Sequence, residues 1–336
     1  MADSTVLITG GAGFIGSHLS EALIAQGKQV VALDNLSTGN SRNLDDLIKS
    51  PDFKLVRGSV LDTNLLGPLV EEADVVFHLA AAVGVQYVVE NLVDTLETNI
   101  EGTRNVLSLA ERHGGKKVLL ASSSEVFGKN TSVTYSEDDD MAIGPSSIGR
   151  WGYACSKMLD EFLAMAYHKE RGLPVVVFRL FNTVGPRQTG RYGMAVPRFV
   201  ANALSNEPIK VHGDGNQTRC FAHVADVVRA LTVLADASEA VGQVFNLGND
   251  TEISIGELAT LVKSMLGSDS PIVYIPYADA YGSDFEDIRR RVPNISKIRG
   301  LINYQPVNDL SKIIRDVAED MKRESVAEKE TTGTNH

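Results

Sequence analysis

The sequence predicts an α/β fold: a doubly wound parallel sheet followed by a smaller C-terminal α/β lobe. Three observations predict it. The first 180 residues alternate short apolar, β-branched runs with longer amphipathic stretches, as strands covered on both faces by helices do. A glycine-rich turn follows directly on the first run. From about residue 181 the texture changes, with Gly185, Pro186, Gly190, Gly193, Pro197, Gly213 and Gly215 breaking the register.

The strand-like runs are Thr5–Thr9, Val30–Leu33, Lys54–Arg57, Val75–Leu79, Lys117–Ala121 and Pro174–Leu180, with one more sheet strand expected near Val244–Leu247. Helical patterns lie between them at about 14–26, 63–71, 94–113 and 151–171. The expected division is a cofactor domain over 1–180 and a second lobe over 181–323, some of whose elements return to the first. The polar stretch 324–336 lacks apolar periodicity and is expected to be disordered.

Composition narrows the partners. The 336 residues carry a formal charge of −11, which argues against nucleic acid held by bulk charge, so an anionic ligand needs a local basic cluster. No run of 18 apolar residues offers a membrane span. Met1 opens onto a strand pattern too soon for a secretory signal, and the only two cysteines, Cys155 and Cys220, lack ligand spacing, so a reducing cytoplasm is expected. His212 and His223 are eleven residues apart, and no metal site is expected.

Leu7-Ile8-Thr9 runs into Gly10-Gly11-Ala12-Gly13-Phe14-Ile15-Gly16 and then a helix. Glycines permit the tight turn, the close approach of backbone to pyrophosphate and the packing of helix on strand, while the helix N-terminus faces the negative charge. Such a turn alone is weak evidence. Asp34 strengthens it, ending the second strand 18 residues past Gly16, where an acid hydrogen-bonds ribose hydroxyls. Asn35 follows and no arginine does, which favours NAD over NADP.

Tyr153 and Lys157 stand four apart on one helical face, just before the sixth strand. Ser122-Ser123-Ser124 ends the fifth strand, where ligands bind in such sheets. A tyrosine base must come from about 10 towards neutrality, some 4 kcal/mol, which a nearby ammonium and a cationic nicotinamide ring favour.

With these motifs in place, the chain resembles the extended short-chain dehydrogenase/reductases, in particular the NAD-dependent nucleotide-sugar epimerases, dehydratases and decarboxylases. The resemblance runs to about residue 320 and rests on Gly10–Gly16, His78-Leu79-Ala80-Ala81, Asn99, Ser122–Gly128, Tyr153 with Lys157, and Phe181-Asn182-Thr183. It implies a Rossmann domain, NAD, a UDP-sugar substrate and a homodimer paired through the helices at 94–113 and 151–171, with Val106, Leu109, Leu159, Phe162 and Met165 on offer. By the same resemblance Ser123 holds the sugar 4-hydroxyl, Tyr153 removes its proton, Lys157 holds the nicotinamide ribose and Asn99 is a structural, water-binding residue that also counts among the cofactor contacts. Phe14, Ile15, Ser59, Val60, Leu79, Ala80 and Ala81 join the cofactor pocket. One departure is Gly58-Ser59-Val60, where relatives often have an aspartate, so an acidic adenine contact is in doubt.

For the substrate, the resemblance points to Ser124, Asn182, Arg187, His212, Arg219 and Arg291, with Arg219 and Arg291 gripping the diphosphate and His212 packing on the base. Glu125, in Ser123-Ser124-Glu125-Val126-Phe127-Gly128, bears on the reaction. Dehydratases carry an aspartate at the place of Ser124, whereas Ser-Glu is the form found in UDP-glucuronate decarboxylases. Arg150-Trp151-Gly152-Tyr153 and the stretch Tyr281–Asp287 lean the same way. The expectation is therefore a UDP-glucuronate decarboxylase giving UDP-xylose. UDP-sugar 4-epimerisation is the alternative, with 4,6-dehydration and cofactor binding without turnover further behind.

Overall fold

The computed structural model describes residues 4–190, 194–277, 279 and 288–333. The strands are β1 (Thr5–Thr9), β2 (Gln29–Asp34), β3 (Phe53–Arg57), β4 (Val75–His78), β5 (Lys117–Ser123), β6 (Val175–Leu180), β7 (Thr183–Val184), β8 (Ile209–His212), β9 (Thr218–Cys220), β10 (Ala222–His223), β11 (Gln243–Leu247), β12 (Glu252–Ser254), β13 (Ile272–Ile275) and β14 (Arg290–Arg291). The helices are α1 (Phe14–Ala25), α2 (Thr63–Glu72), α3 (Val85–Glu90), α4 (Leu92–Arg112), α5 (Arg150–Arg171), α6 (Ala195–Leu204), α7 (Val224–Asp236), α8 (Ile255–Met265), α9 (Ser296–Ile302) and α10 (Leu310–Gly333).

Seven strands form one sheet in the order β11-β6-β5-β4-β1-β2-β3, and every neighbouring pair is parallel. The chain winds outward from β1 to β3, then crosses to β4 on the other side of β1. That reversal opens a crevice above the carboxyl ends of β1 and β4. The strands read as unbroken apolar runs because both faces are covered. Leu19, Leu23, Val227 and Leu231 pack one face from α1 and α7, and Leu66, Val106, Leu107 and Ala164 pack the other from α2, α4 and α5.

The second lobe has its own core, in which Val196, Phe199 and Val200 of α6 meet Leu258 and Val262 of α8 and Ile313, Ile314 and Val317 of α10. Three small sheets, β7-β10, β12-β9-β14 and β8-β13, frame it. From the second half of the chain, β11 adds to the large sheet beside β6.

Two expectations change. The stretch after Glu324 is not irregular in the structure, because α10 continues to Gly333. Its anchored first turns remove the nucleation penalty, and Ala, Glu and Lys then propagate the helix without an apolar stripe. Of the five residues expected at a subunit interface, Val106, Leu109 and Met165 pack within the subunit's own core. Leu159 and Phe162 stay exposed, at 47% and 67%, and Val93 joins them at 70%.

Candidate active site

A cavity of about 880 Å³ lies over the switch point, with walls from both lobes. At its cofactor end Gly10 takes φ +74°, and a Cβ at Gly16 would lie 2.3 Å from the Gly10 carbonyl oxygen. Only glycine allows that turn. Gly13 opens α1 with no side chain capping it, so the first amides of the helix are left for a ligand. Asp34 accepts the amides of Ala12 (2.9 Å) and Leu36 (2.8 Å), which aim its carboxylate into the cavity. Burial raises its pKa, against the pull of those two amides. A Cβ at Gly39 would sit 2.9 Å from the same carboxylate, so the approach to Asp34 is kept open by an absent side chain.

This cradle fits a dinucleotide without any group being forced. Phe14, Ile15, Asn35, Ser59, Val60, Leu79, Ala80 and Ala81 line it as expected. The Ser59 hydroxyl accepts the amide of Leu61, so this position offers backbone and a neutral oxygen where relatives offer an acid. Asn99 is the exception. It does not line the cavity, and its amide bridges Ala82 N (2.8 Å) and the Ser156 hydroxyl (3.1 Å). The expected cofactor contact thus becomes a brace between the loop after β4 and α5.

At the centre, α5 presents Tyr153 and Lys157 to the cavity, and Ser123 at the end of β5 hydrogen-bonds the phenol. Burial raises the Tyr153 pKa, and Lys157 opposes the rise only in part. Burial would lower the Lys157 pKa, but the Asp160 carboxylate at 2.7 Å, together with Tyr153 and Glu161, raises it.

Beyond Tyr153, Glu125 sits in a 3-10 turn, Ser124–Phe127, that leaves β5. Arg150 approaches one of its oxygens at 3.0 Å and Arg291 the other at 2.8 Å. Burial would raise the Glu125 pKa, but the two guanidinium groups hold it at about 2. Arg150 lies against the Trp151 ring (5.3 Å), and Arg291 also reaches the Ser124 hydroxyl (3.3 Å). Arg291 is therefore directed to Glu125 and Ser124, although the sequence placed it on the diphosphate; a guanidinium this buried needs a counter-charge.

The remaining expected residues divide. Arg219, His212 and Asn182 line the second-lobe side of the cavity. His212 lies beside Arg198, and burial together with that cation lowers its pKa to about 4, so it meets a ligand as a neutral ring. Asn182, at φ +21°, donates to the Cys220 carbonyl and ties β6 to β9. Arg187 also lines the cavity, but its guanidinium is paired with Glu21 of α1 and its amide with Asp320 of α10. It joins the lobes more than it faces a substrate.

Residues 281–287 lie outside the described residues. Sequence reasoning passed over Arg150 as a partner of Glu125, and over Asp160. Both stand three residues from a catalytic candidate on α5, the spacing that makes helical neighbours. No His/Cys/Asp/Glu cluster suited to a metal occurs among the described residues, nor is any helix there long and apolar enough to cross a membrane.

Residues 6–248 match the model of the NAD dependent epimerase/dehydratase family. Over 301 residues the chain is 43% identical to UDP-N-acetyl-alpha-D-glucosaminuronate decarboxylase of Bacillus cytotoxicus, covering 89% of this chain and 92% of that one. It is 37% identical to UDP-glucuronic acid decarboxylase 1 of Arabidopsis thaliana, covering 98% and 72%. Among solved structures it superposes on UDP-glucuronic acid 4-epimerase of Bacillus cereus, in complex with UDP-glucuronic acid and NAD. The TM-score there is 0.86 at 28% identity, over 95% of this chain and 99% of that one.

Proposed function

The chain belongs to the NAD dependent epimerase/dehydratase family, and from that premise we propose that it decarboxylates a UDP-hexuronate to a UDP-pentose. One observation carries the reading. The Arg150–Glu125–Arg291 cluster sets two guanidinium groups around one carboxylate, at the end of the cavity next to Ser123 and Tyr153. Guanidinium groups at a cavity wall suit an anionic group on the ligand. The C5 carboxylate of a hexuronate is such an anion, lying one carbon from the oxidised centre.

The residues divide the work accordingly. Tyr153 as phenolate takes the proton of the 4-hydroxyl, and Ser123 holds that oxygen. The Gly10–Gly16 turn and Asp34 would hold NAD⁺, which would supply a reversible hydride acceptor for C4. The resulting β-keto acid breaks its C5–C6 bond, releases CO₂ and leaves the electron pair as an enolate. Tyr153, now protonated, and Ser123 donate to that oxygen. A proton from water then reaches C5, and Tyr153 gives its own proton back to the 4-oxygen as the C4 ketone is reduced. Glu125 stays ionised throughout, so it orients the arginines and is no proton donor.

A 4-epimerase is the second reading, favoured by the likeness to the Bacillus cereus enzyme. It would need the same ketone to turn over without losing its carboxylate. The relatives also differ at C2, acetamido in one and hydroxyl in the other, and the higher identity puts UDP-N-acetylglucosaminuronate first in a panel with UDP-glucuronate. Product masses and trapped CO₂ distinguish the readings: one CO₂ per sugar supports decarboxylation, and an isobaric hexuronate with none refutes it. NAD(H) should stay bound through turnover, without free NADH accumulating.

The exposed Val93, Leu159 and Phe162 on α4 and α5 support a homodimer built on these helices. The exposed Cys155 and the buried Cys220 are both free thiols, in keeping with a cytoplasmic enzyme.

A further inference from the structure

Under Lys157 runs a chain of buried polar groups that the reaction as described does not use. Asp160 bonds the Lys157 ammonium at 2.7 Å, with the two side chains 1% and 3% exposed. The Thr103 hydroxyl lies beside Asp160, whose buried Oδ1 has no other hydrogen-bond partner. Thr103 Oγ1 lies 3.1 Å from His78 Nε2, and His78 Nδ1 lies 2.7 Å from Thr9 Oγ1. The Ala80 amide, on the cofactor wall, meets the same Thr9 oxygen at 3.3 Å.

With the Thr103 hydroxyl turned to the Asp160 carboxylate, the donors run in one direction. Asp160 accepts, so Thr103 donates to it and accepts from His78 Nε2–H. His78 Nδ1 then accepts from Thr9, whose oxygen takes the Ala80 amide. Burial lowers the His78 pKa to about 3, so the imidazole brings no second cation. The nearby Glu161 is engaged by Arg179 and Ser122, and Glu125 by its own arginines. Asp160 is left as the counter-ion of Lys157.

We propose that Asp160 is a positioning residue. Through Thr103, His78 and Thr9 it ties the Lys157 ammonium to the cofactor wall, and it supplies the anion beside that buried ammonium. The inference rests on the assignment of Tyr153 and Lys157 but not on decarboxylation.

The test is the pH profile of hydride transfer in single turnovers with UDP-glucuronate, followed by nicotinamide absorbance, in the parent and in Asp160→Asn. Loss of the anion favours the Tyr153 phenolate and also lets Lys157 lose its proton sooner. Both limbs of the profile should therefore move to lower pH, and the rate at the optimum should fall about tenfold, with substrate KM unchanged within about twofold. A residue that only supported the fold would lower stability and leave the limbs in place. A profile and rate matching the parent overturn the proposal.

If Asp160→Asn does not fold, Thr103→Val decides, since it keeps both charges and removes one orienting bond. A several-fold lower rate with unmoved limbs is then expected, and a parental rate overturns the proposal. A parent that reduces its cofactor but releases no CO₂ defeats only the decarboxylase reading. One that reduces none defeats the assignment of Tyr153 and Lys157, and this inference with it.

Discussion

The Lys157–Asp160 pair and the Arg150–Glu125–Arg291 cluster lie beneath one cavity, but the first joins one cation to one anion, whereas in the second two guanidinium groups meet one carboxylate. Lys157 has its counter-ion inside the protein, on the next turn of its own helix, and so keeps its place whether or not a ligand is bound. The arginines share the Glu125 carboxylate between them, and both line the cavity. A guanidinium at a cavity wall can take a further charge-assisted contact from a ligand. A pair closed within one helix thus marks scaffold, and arginines shared at the cavity wall mark a binding seat.

The largest effect should come from Tyr153→Phe, which removes the base and touches neither charge group. Turnover should fall by at least about a hundredfold, as for loss of a general base, while bound NAD content stays parental. A rate above about a tenth of the parent's, a barrier change under 1.4 kcal/mol, would show that another group takes the proton.

Arg291→Met should come next, since it leaves Arg150 and Glu125 neutral and removes the seat. Loss of a charge-assisted contact of about 1.5–3 kcal/mol predicts roughly 10- to 150-fold weaker hexuronate binding. UDP-xylose, which lacks the carboxylate, should bind nearly as before.

Glu125 sharpens the contrast through pH. Its pKa is depressed from 4.5 to about 2, so its contribution to stability is complete above the ordinary value and is lost as pH falls through the folded one. Glu125→Gln should therefore be less stable near neutrality, by on the order of 3 kcal/mol, with the difference from the parent shrinking in acid. It should slow CO₂ release more than it weakens substrate binding. Acid melting curves of parent and variant check the sign.

The smallest effect belongs to the exposed pair Arg289–Asp214, a control for burial. Asp214→Asn should leave the melting temperature within about a degree, because exposed pairs are screened by water and salt.

The fold was legible because its signals are local. Runs such as Val175–Leu180 can be buried on both faces only in a covered parallel sheet, and Gly10 to Gly16 dictate a turn by their missing side chains. Most expected site residues line the cavity for a related reason, since they stand at strand ends or on helix faces fixed by those elements. What stayed hidden depends on which side chain meets which across the fold. Asn99 reads as a ligand residue until both ends of its amide are found engaged. Arg291 reads as a phosphate clamp, but β14 pairs beside β9 and delivers it to a glutamate 166 positions earlier. Asp160 reads as a solvated acid on a helix, and only the packing of α4 on α5 makes it the buried partner of a lysine. The helical course of α10 past Glu324 was missed because propagation from an anchored turn leaves no apolar pattern.

The charge argument is tested most directly by calorimetric affinities of the parent and Arg291→Met for UDP-glucuronate and UDP-xylose, under conditions too brief for turnover. The account predicts that the parent prefers the carboxylated ligand by about tenfold or more and that the variant loses this preference while still binding UDP-xylose. An undiminished preference in the variant would contradict it, and the substrate carboxylate would have to be sought elsewhere in the cavity.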